Sequence, residues 1–349
     1  MGAETNEQSE KHQGRLGLGD GGTPSHSVFP ASMGWLAILC GTVSALGYTL
    51  ANVCLRSVTH LDPVWVSQVK SLPTVLGAAP VVIWSLTSGR PLMPTKRLLV
   101  ITILAAIVGQ VAGNIGFQWA LGRIGLALTV PLIMGSLIVS GVFMGRYFLG
   151  DTVTSRMLWA SAILILAIVV LSLGAAQAND SIRLVSAEVE MDQEIVVFSA
   201  VGVAILAGLA YSCLGVVIRY ATNLGASNAS VLFVVSTVGF LVLGGICVRN
   251  SGFSNWRETA NWEYQNLILA GVFNLIAFAA LTKALQMATV VFVNALNASQ
   301  TAMAATIGVV FFQEPLTGSM LTGVLLTIFG LWQMRRRTRR DWTAGAADA

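Results

Sequence analysis

Charged side chains are scarce in this sequence of 349 residues. Asp, Glu, Lys and Arg make up only 10% of the chain, whereas hydrophobic residues make up 55% and the mean hydropathy is +0.74. A soluble globular domain carries about 25% charged residues, so this composition excludes an ordinary soluble fold. It predicts an integral membrane protein with little chain left for a soluble domain.

Histidine and cysteine are also scarce, with three and four residues. The histidines do not cluster, since His12 and His26 lie in a polar N-terminal segment and His60 lies in a short loop. The cysteines fall in or beside apolar runs and show none of the spacings of a disulfide framework or a metal site. They are Cys40, Cys54, Cys213 and Cys247. We therefore expect no catalytic residue, no metal and no cofactor, and the chain is predicted not to be an enzyme.

Long apolar runs take up most of the chain. A transmembrane helix needs about 20 apolar residues, and runs of this length exclude the shorter alternating strands of a membrane barrel. A spanning helix also satisfies its own backbone groups. The expected fold class is an all-α integral membrane protein with ten transmembrane helices. The predicted spans are 34–55, 65–87, 98–121, 126–148, 157–177, 196–218, 229–248, 266–285, 287–312 and 317–334.

Lysine and arginine collect on one side of this arrangement. With the N-terminus inside, most of them fall in the short inner segments and the tails, and the outer segments hold only Arg56, Arg123, Arg183, Arg249 and Arg257. Because basic residues favour the cytoplasmic side, both termini are predicted to lie in the cytoplasm, with the protein in the cell membrane. The basic residues serve as topology signals, so the expected partners are the lipid bilayer and a small-molecule substrate, with no nucleic acid.

A segment of the first half returns 163 residues later in the second half. Residues 131–154 and 294–317 are both apolar stretches with small residues that end in Phe and then an acid. Each copy holds five predicted spans, an odd number, so the second copy enters the membrane from the opposite side. The aligned pairs include Tyr48 with Tyr211, Arg56 with Arg219, Gly145 with Gly308, Phe148 with Phe311 and Asp151 with Glu314. The sequence therefore predicts two inverted five-helix repeats.

Inverted repeats around a site near the membrane midplane are found in many secondary transporters, because the two halves can exchange conformations and expose the site to either side. The short link at 122–125 and the acids in Gly150-Asp151 and Gln313-Glu314-Pro315 resemble the drug/metabolite transporter superfamily, and within it the EamA-like family. The resemblance covers residues 34–334 and implies movement of small metabolites, often amino acids or drugs. Lys70 stands where that family usually has arginine, so no substrate is carried over.

The predicted function is a secondary transporter, an exporter or an exchanger, of small organic metabolites by alternating access. A nucleotide-sugar or sugar-phosphate carrier of the same superfamily is the alternative, and a non-transporting scaffold or a membrane enzyme is less favoured. The predicted domains are a disordered cytoplasmic tail over 1–31, a first repeat over 32–177, an extracytoplasmic linker over 178–194, a second repeat over 195–336 and a cytoplasmic tail over 337–349.

Polar side chains inside the apolar spans are the candidate substrate site. Burying such groups in a membrane is costly, so they must meet each other or a watery cavity. Gln110, Asn114 and Gln118 are spaced at i, i+4 and i+8, which places them in one stripe on span three. The full candidate set is Lys70, Tyr48, Asn52, Gln110, Asn114, Gln118, Tyr211, Asn274, Asn294, Asn297 and Gln300.

Lys70 is the only charge well inside a predicted span. An ionisable residue there is a functional candidate by default, and Lys70 is predicted to receive the anionic group of a substrate. The alternative is a lipid-facing lysine that snorkels toward the headgroups. Because no carboxylate falls in the middle of a span, facilitated diffusion, exchange and coupling through Lys70 all stay open.

Small residues recur at GxxxG spacing in the aligned segments, where they let helices approach closely. They are Gly141 and Gly145 in span four, with Ala304 and Gly308 in span nine. Packing between the two halves is the favoured interpretation, and a homodimer is the alternative.

Overall fold

In the computed structural model, the described residues are 31–150, 153–183, 193–288, 293, 296–297 and 299–344. All regular structure within them is helical, which confirms the all-α prediction. The helices are α1 Ala31–Ser57, α2 Pro63–Thr87, α3 Lys96–Val108, α4 Gly116–Leu149, α5 Ser155–Arg183, α6 Gln193–Asn223, α7 Asn228–Ser251, α8 Ser254–Glu258, α9 Asn261–Met287, α10 Gln300–Phe312 and α11 Gly318–Ala344. A π-helical segment, Gly109–Ile115, joins α3 to α4.

Six helical stretches are long and apolar enough to cross a membrane, which indicates an integral membrane protein. They are Trp35–Ser57, Pro63–Thr87, Lys96–Leu149, Ile195–Asn223, Asn228–Ser251 and Asn261–Met287. Shorter apolar helices cover Leu158–Leu171, Gln300–Phe312 and Gly318–Gly330. The count of ten spans stays a prediction.

The stretch Lys96–Leu149 is 54 residues long. As one straight helix it would measure about 81 Å, far more than the hydrocarbon core of a bilayer. Its backbone leaves helical geometry at Gly125, with φ 76° and ψ 176°. That conformation is essentially restricted to glycine, so Gly125 ends one helical segment and a second begins at Leu126. This break lies in the short link that the sequence predicts between spans three and four.

The second half shows matching backbone features at the aligned positions. Ala288, which aligns with Gly125, follows α9 in an extended conformation, with φ −146° and ψ 166°. Alanine is tolerated there because its φ is negative. Gly150 and Gln313 also align, and both end a helix in the left-handed region, with φ 70° and φ 53°. The two copies therefore share their helix breaks as well as their residues.

The main helix contacts join the two halves of the chain. α4 packs against α6, α1 against α9, α2 against α7 and α5 against α11. Close approach depends on small residues, since a Cβ added at Gly308 of α10 would lie 2.9 Å from the Ala127 Cβ in α4. At Gly308 the small-residue spacing therefore serves internal packing, as the sequence predicts.

Three helix ends extend past the predicted domain boundaries. α5 continues to Arg183 and α6 begins at Gln193, inside both ends of the predicted linker 178–194, whose residues 184–192 lie outside the described part. α11 continues to Ala344, inside the predicted tail 337–349, because no proline or glycine occurs there before Gly345. Of the predicted tail 1–31, only Ala31 is described.

Candidate substrate cavity

A cavity of about 160 Å³ lies in the interior, between residues of α1, α2, the π-helical segment, α4, α6, α7, α9 and α10. Because one water takes up about 30 Å³ of liquid, this space suits a small organic molecule rather than a single water. α4 contributes Val130, Ile133, Met134 and Leu137 to the apolar part of the wall. Its polar lining residues are Tyr48, Asn52, Lys70, Ser71, Gln110, Asn114, Tyr211, Ser212, Ser236, Asn274, Asn297 and Gln300.

Lys70 is placed in this cavity by α2. The helix begins at Pro63, and the Asp62 carboxylate accepts hydrogen bonds from the N–H groups of Val64 at 2.6 Å and Trp65 at 3.0 Å. Proline at the first position and an aspartate cap both favour a helix start here. Two turns later Lys70 is buried, with 6% of its surface exposed. A lipid-facing lysine is thereby excluded, and the ammonium lies among the cavity residues.

The Lys70 ammonium has a single hydrogen-bond acceptor among the described residues. Its Nζ donates to Asn114 Oδ1 at 2.9 Å. The ion pairs found in the described part of the chain involve other residues, Arg56 with Glu314 and His60 with Glu263. An ammonium has three N–H donors and needs acceptors for each of them when it is buried. Lys70 therefore has donors left for a ligand.

The π-helical segment carries the residues that hold this lysine. Gln110 Nε2 donates to the Val235 carbonyl at 3.1 Å, and Asn114 Nδ2 donates to Gln110 Oε1. Asn114 Oδ1 accepts from Lys70 and also from the Tyr211 hydroxyl at 2.7 Å. π-helical turns are rare in proteins, and those that occur often lie at functional sites. Here Asn114 contacts the ammonium directly, and Gln110 orients the Asn114 side chain.

Two glycines of the same segment let α6 approach it. A Cβ at Gly113 would lie 2.7 Å from Tyr211 Cε1, and a Cβ at Gly109 would lie 2.7 Å from Leu214 Cδ2. A side chain at either position would force the neighbouring side chain of α6 to move. The Tyr211 ring can therefore lie against the segment, with its hydroxyl on Asn114.

A second polar region of the wall is formed around α10. Ser44 Oγ donates to Asn297 Oδ1 at 3.2 Å, which joins α1 to a residue that precedes α10. Gln300 Nε2 and Ser212 Oγ are buried and have no hydrogen-bond partner among the described residues. Buried polar atoms are nearly always paired in native structures, so unpaired ones beside a cavity indicate a place for water or a ligand.

The structure brings most of the predicted site residues into this one cavity. Those that line it are Lys70, Tyr48, Asn52, Gln110, Asn114, Tyr211, Asn274, Asn297 and Gln300. Gln118 does not line the cavity, because the π-helical turn changes the helical register and its Nε2 donates to the Leu55 carbonyl at 3.2 Å instead. Asn294 lies outside the described residues.

The predicted set of site residues leaves out the serines of the wall, Ser71, Ser212 and Ser236. A serine in a membrane helix can bond to a carbonyl of its own helix, as Ser71 does to Gln68 at 2.6 Å. Their residue type therefore carries no signal for a cavity. The position of Ser212 directly after Tyr211 is the only sequence feature that indicates a serine near the cavity.

The arrangement suits binding of an anion. An ammonium gives charge-assisted hydrogen bonds to a carboxylate, which are about twice as strong as neutral ones. Among the described residues, no group of three or more His, Cys, Asp or Glu could hold a metal ion.

Comparison with known proteins supports a transporter fold. The model of the EamA-like transporter family, part of the drug/metabolite transporter superfamily, matches residues 198–335 and confirms the family resemblance. The fold matches 26 chains of solved structures. One of them, described as the crystal structure of a protein, has a TM-score of 0.59 and 16% identity over 87% of this chain and 98% of its own. No curated protein matches the chain.

Proposed function

We propose that this membrane protein, whose second half matches the EamA-like transporter family, is a secondary transporter of small carboxylate-bearing metabolites. The Lys70 ammonium carries the proposal, because it is buried, borders an interior cavity and has one described acceptor. A protein gains nothing in stability from a half-satisfied buried cation. A bound carboxylate would supply the missing acceptors.

Alternating access between two inverted halves is the proposed mechanism. It is supported by the helix breaks at Gly125 and Ala288, which stand at aligned positions. Tyr48 and Tyr211, also aligned, both line the cavity. A site shared by two equivalent halves is what exchange of their conformations requires. Both termini are proposed to lie in the cytoplasm, and the direction of transport to be export or exchange.

Labelling with an impermeant maleimide tests this topology. Cysteines in place of Ser88, just after α2, and Ser186, which lies outside the described residues, should react from opposite sides of sealed vesicles. The four native cysteines are replaced beforehand. Labelling of both positions from one side would contradict the inverted repeat as well as the topology.

A carboxylate substrate is favoured over a phosphorylated one. Lys70 is the only cationic residue in the described wall of the cavity. A phosphate monoester carries about −1.5 to −2 charges at neutral pH and is usually bound by several cationic or backbone donors. One ammonium with neutral amides around it matches a single negative charge. The nucleotide-sugar or sugar-phosphate carrier is therefore the second candidate.

Uptake into proteoliposomes is the decisive experiment. A panel of labelled monocarboxylates, amino acids, amines and sugar phosphates is compared in wild type, Lys70→Gln and Lys70→Arg. We expect flux of carboxylates in wild type, none in Lys70→Gln and part of it in Lys70→Arg, because arginine keeps the charge but not the compact shape of the ammonium. Circular dichroism and gel filtration check that each variant is folded.

Two outcomes would overturn the proposal. Undiminished carboxylate flux in folded Lys70→Gln would remove Lys70 from the site. No flux for any compound, together with turnover of an added lipid, would favour a membrane enzyme, although the EamA-like family is generally non-enzymatic.

A further inference from the structure

A second buried charge lies at one end of the cavity, in the link between α10 and α11. Glu314 Oε1 accepts a hydrogen bond from the Leu126 N–H at 2.8 Å and from Arg56 Nε at 2.9 Å. Its Oε2 accepts from the Ala127 N–H at 2.7 Å. Leu126 and Ala127 open the helical segment that follows the break at Gly125. A carboxylate is stabilised there by the unpaired N–H groups and the helix dipole.

Two glycines make room for this carboxylate. A Cβ at Gly125 would lie 2.6 Å from Glu314 Oε1, and a Cβ at Gly308 would lie 2.5 Å from Oε2. The preceding residue, Gln313, is in the left-handed region, and the Glu314 N–H bonds to the Gly308 carbonyl at 3.0 Å. A left-handed residue other than glycine costs about 1–2 kcal/mol. The chain accepts this conformation where it turns the Glu314 side chain back toward α4.

The Glu314 bonds join elements of both predicted repeats. Arg56 is in the last turn of α1, and its guanidinium also donates to Thr59 Oγ1 at 3.2 Å and lies over the Phe312 ring of α10 at 5.5 Å. α1 and α4 belong to the first repeat, whereas α10 and Glu314 belong to the second. The neighbour of Arg56 in sequence, Leu55, lines the cavity.

The same end of α4 leads directly to the cavity wall. Val130 stands one turn after Leu126 and lines the cavity. The Glu314 cluster therefore connects three elements that border the cavity, at the end where α1 finishes. In the predicted topology this end faces outward.

We propose that Glu314 is a gating residue that holds this end of the cavity closed. Its carboxylate ties α1, the start of the segment 126–149 and α10 together, and it releases Arg56, Leu126 and Ala127 when this end opens to water. The inference rests on the proposed transport function, since a gate is meaningful only if the cavity opens. Separation of the first repeat from the second at this end cannot proceed while these bonds persist.

Accessibility of a cysteine in the cavity tests the gate without a substrate. All four native cysteines are replaced, and Ala51, which lines the cavity from α1, is changed to cysteine. An impermeant methanethiosulfonate is added to either side of sealed vesicles. Glu314→Gln should raise the labelling rate from the Arg56 end by about five-fold or more, the lower range of a typical conformational coupling, and lower it from the other side.

Gly308→Ala should have the same effect without changing any charge, because the added methyl would displace the carboxylate and crowd Ala127, whose N–H the carboxylate accepts. Gly245→Ala is the matched control, since a Cβ there meets open space. This control should label like the parent.

The double variant Arg56→Glu with Glu314→Arg separates the cap from the ion pair. It retains the opposite charges, but an arginine cannot accept the N–H groups of Leu126 and Ala127, so it should label like Glu314→Gln. Parental labelling of this swap would reduce the cluster to an ion pair and overturn the gate as proposed. The gate would also be overturned if folded Glu314→Gln and Gly308→Ala both labelled at the parental rate. Failure of the transport proposal would appear separately, as undiminished flux in Lys70→Gln.

Discussion

Lys70 and Glu314 are two buried charges with opposite surroundings. The Lys70 ammonium has three donors, one described acceptor and an open cavity beside it. The Glu314 carboxylate receives three donors, two from a helix start and one from Arg56, and the space around it is closed by Gly125 and Gly308. One charge is left partly unsatisfied and the other is fully satisfied.

This difference indicates that one charge binds a substrate and the other holds helices together. A buried ionised group is costly unless hydrogen bonds and opposite charge surround it. Glu314 meets that condition within the protein, so its bonds join helices. Lys70 does not meet it, so its charge is available to a substrate that enters the cavity. Glu314 should therefore matter more for stability, and Lys70 should matter more for substrate binding.

Removal of Glu314 should give the largest loss of stability. Glu314→Ala leaves Arg56 without its ion-pair partner and leaves two helix N–H groups unpaired, which should cost about 3–5 kcal/mol. Arg56→Ala should cost less, because Leu126 and Ala127 keep their acceptor. Chemical unfolding in detergent measures both. An equal cost for the two variants would show that the ion pair, and not the helix cap, dominates.

Asn114 should give the next largest effect, because it serves two partners. Asn114→Leu deprives Lys70 Nζ and the Tyr211 hydroxyl of their acceptor, at a cost of about 1–3 kcal/mol. Asn114→Asp should instead pair with the ammonium and abolish carboxylate flux in a folded protein. Retained flux in Asn114→Asp would show that the Lys70 charge does not receive the substrate.

Tyr211→Phe should have a smaller effect. It removes one interhelical hydrogen bond, and such bonds in membranes contribute about 0.6 kcal/mol on average. The equilibrium constant of unfolding and the rate of flux should both change by no more than a few-fold. Tyr220→Phe, at an exposed position of the same helix, provides the control and should leave both unchanged. A complete loss of flux in Tyr211→Phe would make the tyrosine hydroxyl a direct substrate contact.

Lys70→Met should change stability little, although it should abolish carboxylate flux. The ammonium contributes one described hydrogen bond and carries the cost of a charge inside the membrane, about 2.5–3.5 kcal/mol on insertion scales. Loss of the hydrogen bond and loss of the buried charge should nearly cancel, so the free energy of unfolding should change by no more than about 1 kcal/mol. A stability loss as large as that of Glu314→Ala would make Lys70 a structural residue and erase the contrast between the two charges.

Much of the cavity could be predicted from the sequence, because a polar side chain in an apolar helix stands out. Tyr48, Asn52 and Asn274 were found in this way and line the cavity. Gln118 was expected beside Asn114, but the expectation assumed a regular helix, and the π-helical turn directs its amide to Leu55. A single turn of altered register is not visible in residue types.

The gate was harder to predict, because Glu314 reads in sequence only as an acid at the end of a span. Its alignment with Asp151, which lies outside the described residues, marked the position but not its contacts. Nothing in the sequence joins Glu314 to the N–H groups of Leu126 and Ala127. Those contacts depend on the break at Gly125 and on the approach of α10 to α4.

The sequence by itself determined that the chain is helical and embedded in a membrane, and where the helix between Lys96 and Leu149 breaks. These properties follow from composition, the length of apolar runs and the conformational freedom of a glycine, all of which act locally. The tertiary structure decided that Lys70 lies inside rather than toward lipid, and that Glu314 bonds Arg56. Lys70 and Asn114 are 44 residues apart, and Arg56 and Glu314 are 258 apart. Partners so distant along the chain are chosen by how whole helices pack, and not by their neighbours in sequence.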